Sequence, residues 1–158
     1  MASGRNSRHS GRLRVTFDFR LHADRSRCVG TQYFEFVPGR YCGKHWLPGG
    51  RFIDENSFCL FEGIFEEHLP RFDHFGFGEV SRAQWKPILA DILELRGQLL
   101  WANGKAVQMP FGRTLRVEDD FQQDIATNRA GLAVSLSELE GWLRQTLTVY
   151  DCVSVLGL

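Results

Sequence analysis

Apolar residues return at helical spacing early in the second half of the chain. Trp85, Ile88, Leu89, Ile92, Leu95 and Leu99 form one stripe, with Lys86, Asp91, Glu94 and Arg96 falling mostly between them. Ser81 and Gln84 stand where a capping box requires them: the hydroxyl accepts the free amide three residues on, and the amide side chain reaches back. Val80 and Trp85 occupy the two positions of a hydrophobic staple. Pro87 removes one intrahelical bond, so a kink or a helix start near Trp85 is expected. Ahead of the cap, Asp73, His74, Gly76 and Gly78 interrupt Phe72, Phe75 and Phe77, the pattern of a tight aromatic loop.

Elsewhere the period is shorter. Residues 13–21 alternate, with Leu13, Val15, Phe17 and Phe19 on one face and Arg14, Thr16, Asp18 and Arg20 on the other, which predicts a half-buried strand. Residues 31–37 (TQYFEFV) predict a second strand, ended by Pro38-Gly39 and paired with the first as a long-looped hairpin. Residues 40–51 predict an ordered loop or short edge strand. Residues 52–69 fit a strand or a short helix. Past a turn at residues 102–105, residues 106–109 and 114–117 read as short strands. Glu118, Asp119 and Asp120 crowd the start of a helix, where acids suit the positive end of the dipole. Ser135 with Glu138, or Ser137 with Glu140, would open a further helix with Leu139, Trp142, Leu143 and Leu147 on its stripe. Residues 150–158 predict a terminal strand. The sum is an α+β fold, one antiparallel sheet packed against two or three helices.

Charge changes this picture at the N-terminus. Nineteen basic and nineteen acidic residues cancel, but Arg5, Arg8, Arg12 and Arg14 meet no acid before Asp18. Setting those four aside leaves 15 basic against 19 acidic residues, a net of −4. Residues 1–11 are therefore expected to be a loose basic segment ahead of a single domain spanning residues 12–158. That domain is long enough to bury about 70% of its unfolded surface. The first ten residues hold no apolar run of the kind a secretory signal needs, and no stretch is long enough for a membrane span, so a cytoplasmic location is expected.

Candidate chemistry is thin. The four cysteines, at 28, 42, 59 and 152, show no CxxC spacing and are expected to be reduced, with Cys59 and Cys152 in the core. Cys42, His45, Cys59 and His68 supply the atoms for zinc at a spacing that matches no closed site. No nucleophile elbow, phosphate loop or HExxH is present. No catalytic residue, metal ligand or cofactor is assigned, and an enzyme is not expected.

The acids are more informative as a surface. Asp54, Glu55, Glu62, Glu66, Glu67, Asp73 and Glu79 fall within 26 residues and are opposed there only by Arg71. Phe58, Phe61, Phe65, Phe72, Phe75 and Phe77 are interleaved with them, and Glu118, Asp119, Asp120 and Asp124 form a second group. An acidic rim around aromatic anchors suits capture of a basic protein. A phenyl core under a solvated acidic face is the competing reading, and the pattern leaves both open. The candidate partner-binding residues are Asp54, Glu55, Glu62, Glu66, Glu67, Asp73, Glu79, Asp119 and Asp120; Ser81, Gln84, Trp85 and Trp142 are structural.

The run FDHFGFGEVSRAQW, the Ile/Leu helix behind it, the later SxxE-W-L helix and the final SVLGL strand resemble small bacterial immunity proteins. Those proteins neutralise the toxins of contact-dependent growth inhibition and related polymorphic-toxin systems. The resemblance covers residues 31–100 and 135–158 and leaves out the basic start. It implies a cytoplasmic, non-enzymatic toxin inhibitor of bacterial competition. Such an inhibitor binds the C-terminal toxin domain of a large secreted protein one to one and blocks its active site or substrate access. Many such toxins are nucleases, whose phosphate-binding clefts would suit an acidic face. The resemblance fixes no binding residue. Two alternatives belong to other classes: a zinc-dependent enzyme using Cys42 and His45, and a small nucleic-acid-binding module using the Arg5–Arg14 arm. Neither membrane association nor direct nucleic-acid binding is expected.

Overall fold

The computed structural model describes residues 13–102 and 105–157; the basic segment 1–11 lies outside them. Tyr33–Pro38 is β1 and Arg51–Asp54 is β2. The short helices Glu55–Cys59 (α1) and Glu62–His68 (α2) follow, then Phe77–Ser81 (β3) and the long helix Arg82–Trp101 (α3). Glu118–Gln123 is α4, Ile125–Val149 is α5, and Cys152–Leu156 is β4. The strands form one antiparallel sheet in the order β2-β1-β4-β3. The last strand is thus an inner one, which locks the chain's end between β1 and β3. The described residues make a single α+β domain. They hold five α-helices rather than two or three, because residues 52–69 supply a strand and two short helices.

Alternation along the strands sorts the sheet into two faces. Phe34, Phe36, Ile53, Val80, Val153 and Val155 join the main core with α3 and α5. The opposite face carries Tyr33, Glu35, Phe52, Ser154 and Leu156, all buried. Residues 39–50 cover part of it. Glu35 accepts the amides of Trp46 at 2.8 Å and Leu47 at 3.1 Å, and the Ser154 hydroxyl donates to the Gly39 carbonyl at 2.8 Å. Trp46 is held at a positive φ of 61°, uncommon for a bulky residue. Its ring lies over Phe52 and under the Arg25 guanidinium, 4.2 Å from the ring centre.

Both halves of the capping box are present. The Gln84 amide donates to Ser81 Oγ at 3.3 Å, and the Ser81 amide donates to Gln84 Oε1 at 2.9 Å. Val80 and Trp85 are buried as a staple requires. Pro87 lies inside an uninterrupted α3. It and Ala83, whose carbonyl loses the bond, are both exposed, so water can replace the missing donor.

Four expectations are corrected. Residues 13–21 form no ladder: Val15, Phe17, Phe19 and Leu21 pack on the core from an extended arm, and only His22 bridges to Phe52. β1 pairs with β2 and β4 instead. Residues 106–109 and 114–117 are loop, tied to the helices by Gly63 N–H to the Pro110 carbonyl at 2.9 Å and Gly112 N–H to the Cys59 carbonyl at 2.8 Å. Ser135 and Ser137 cap nothing, because α5 begins ten residues earlier, at Ile125, carrying Leu132, Ala133 and Leu136 into the core. Trp142 sits on α5 half-buried, against the core.

Candidate functional site: a buried histidine bridge beneath an open sheet edge

Asp54 ends β2 and caps α1, accepting the Ser57 amide at 3.1 Å. The cap turns Glu55 inward, and the close of α1 at Leu60 brings Glu62 inward behind it. Both carboxylates are buried, Glu62 completely. His74, from the aromatic loop, lies between them. Its Nε2 is 2.9 Å from Glu55 Oε1 and its Nδ1 is 2.6 Å from Glu62 Oε1. Burial pulls the imidazole pKa down, but the hydrogen bonds to Glu55 and Glu62 outweigh it and hold it above the usual histidine value. Burial pushes the Glu62 carboxyl up, and His74 offsets this only in part. The cluster is therefore an imidazole that holds its proton tightly, clamped between two buried acidic side chains, of which Glu62 resists ionisation.

Its surroundings close tightly. Among the described residues Glu62 Oε2 has no hydrogen-bond partner, and it lies against Gly112, where a Cβ would overlap it. The Gly157 amide donates to the Gly76 carbonyl at 2.7 Å, and a Cβ there would strike the His74 carbonyl. The cluster joins α1, α2 and the aromatic loop at one point. The sequence offers Asp73-His74, Glu79 and the Glu62, Glu66, Glu67 group as a possible base and acid, but nothing in it joins His74 to Glu55. The available signal was Glu55, Cys59 and Glu62 at helical spacing among phenylalanines, with a histidine in the next loop.

The arrangement suits architecture better than chemistry. Cys59, Glu62 and His74 place ligand atoms within 4.8 Å of one another, but both His74 nitrogens are already engaged by carboxylates. Burial, with Glu62 and Glu55 nearby, pushes the Cys59 thiol well up, so it carries no thiolate at neutral pH. The candidate zinc quartet is not assembled. Cys42 is exposed, Cys59 is in the core, His45 lies 3.7 Å from Glu35, and His68 bonds Asp91 at 2.6 Å across α2 and α3.

Among the candidate partner-binding acids, Glu55 and Glu62 are buried and turned toward His74. Asp54 is half-buried and spent on its cap. Glu66 receives the Arg113 side chain at 2.9 Å. Asp120 is buried. Glu67, Asp73, Glu79 and Asp119 are exposed. The phenylalanines divide likewise: Phe58, Phe61 and Phe65 are core, Phe72 is partly buried, and Phe75 and Phe77 stand 61% and 64% exposed. Phe77 is on β3, an edge strand, with the Tyr41 ring 4.6 Å away. Beside that edge runs a groove of about 360 Å³ floored by Phe72, Val80 and Val155, with Asp73 and Glu79 among its walls.

No family model, curated protein or solved structure matches the chain. Among the described residues, no helix is long and apolar enough to cross a membrane.

Proposed function

We propose that this chain is an immunity protein. It binds the toxin domain of a contact-dependent or related polymorphic-toxin system one to one and neutralises it by blocking the active site or substrate access. The toxin is a nuclease with a basic cleft, and the inhibitor acts in the bacterial cytoplasm. One observation carries this reading. The buried titratable groups are engaged in holding the fold together, while two aromatic rings and two carboxylates, Phe75, Phe77, Asp73 and Glu79, stand exposed around one sheet edge. Aromatic anchors beside acids are what a protein needs to capture a basic partner: the charges speed encounter and the rings hold the complex.

Growth is the test. The toxin domain encoded next to this chain is expressed from an inducible promoter, with and without the chain. Co-expression is expected to restore growth, and the triple charge reversal Glu67→Lys, Asp73→Lys, Glu79→Lys to slow association on the order of tenfold at low salt. Equal toxicity with and without the folded chain would remove this function.

A further inference from the structure

Resting on the immunity reading, we infer that the partner enters as an extended basic segment that adds a fifth strand to the sheet at β3. The ladder between β3 and β4 fixes which groups are free. The Gly157 amide bonds the Gly76 carbonyl at one end and the Arg82 amide bonds the Asp151 carbonyl at the other. Hydrogen-bonded pairs alternate in an antiparallel ladder, so with this register Gly78 and Val80 bond inward to Val155 and Val153. Phe77 and Glu79 then direct their amides and carbonyls away from the sheet, and among the described residues those groups have no partner. Ser81, the next outward position, already gives its amide to Gln84.

The other edge is not equivalent. β2 is covered where His22 exchanges backbone bonds with Phe52, both 2.8 Å. At β3 the main-chain groups run along the groove, so an added strand would gain bonds from the edge and a pocket for alternate side chains. Charge selects the occupant. Among the described residues Arg71 is the only cation lining the groove, against Asp73 and Glu79, and a lysine or arginine opposite Glu79 forms a favourable cross-strand pair. A second copy is disfavoured. Pairing β3 with itself would bring two Glu79 side chains onto one face of the joined sheet, at opposing or neighbouring positions.

The test separates main chain from side chain in the full-length protein. Glu79→Pro deletes an outward donor and spares the ladder, a substitution edge strands accept. Its far-UV spectrum and melting temperature are expected to stay near wild type, while affinity for the toxin domain falls on the order of tenfold or more. Glu79→Gln, which keeps the donor, is expected to lose only a fewfold. Hydrogen exchange supplies an independent readout: the Phe77 and Glu79 amides should exchange rapidly in the free protein and become protected in the complex. A complex that leaves both amides unprotected overturns the edge and leaves the immunity reading standing. Failure of the wild-type chain to bind the toxin domain at all overturns both. Protection of these amides by self-association without toxin would assign the edge to a second copy instead.

Discussion

Replacing His74 with alanine is expected to destabilise the protein by about 3–5 kcal/mol at neutral pH, because it leaves the buried Glu55 and Glu62 side chains without the partner they share. For a chain of this length that is a fall in melting temperature of about 6–20 °C. The part of that loss that comes from His74 should be larger at pH 5 than at pH 8, because a histidine whose proton is held more tightly in the folded state contributes its stability at low pH. The wild type has the matching signature. His74 and Glu62 both hold their protons more tightly folded than unfolded. The stability they contribute is therefore complete below their unfolded pKa values and is lost as pH rises through the folded ones. Stability from this cluster should decline as pH rises from just above the ordinary carboxylate range to beyond the ordinary histidine value. Glu62→Gln should flatten that decline. Urea denaturation of the three proteins at pH 5 and pH 8 checks both points. A His74→Ala variant as stable as wild type at pH 5 would show that the bridge does not hold the fold.

The second large effect is expected at Trp85. The ring is wholly buried, 6.4 Å from Phe36 and 5.8 Å edge-on from Phe65, and its Nε1 donates to the Val153 carbonyl at 3.3 Å. It joins the start of α3 to the inner strand β4. Trp85→Ala should cost about 3–5 kcal/mol through the cavity it leaves, and Trp85→Phe clearly less, since most of the apolar volume remains. Denaturation midpoints at constant slope measure both. A near-neutral Trp85→Ala would contradict its place at the centre of the core.

These two residues show what sequence reveals and what it hides. Trp85 was legible because every signal around it is local: cap, staple and stripe lie within 20 residues, Val80 to Leu99. β1 and the C-terminal strand were legible for the same reason. The inner position of β4 was not, because strand order depends on pairings across the whole chain. Residues 13–21 misled because alternation records burial of one side, and an extended arm packed on the core buries Phe17 against Phe121 as a strand would. The serines at 135 and 137 misled because a capping pattern inside a longer apolar stripe is overridden by packing: Leu132 and Leu136 extend the helix through them. The His74 bridge stayed hidden because its partners lie 12 and 19 residues away. The same burial removed Glu55 and Glu62 from the acidic surface and left Asp73 and Glu79 in place.

That division of labour, chemistry enclosed and edge presented, is what makes this chain an inhibitor in our account. The most direct measurement is a titration of the purified toxin domain's nuclease activity with the purified chain. Activity is expected to fall linearly and vanish at one equivalent. Activity that persists at several-fold molar excess of folded chain would contradict the account.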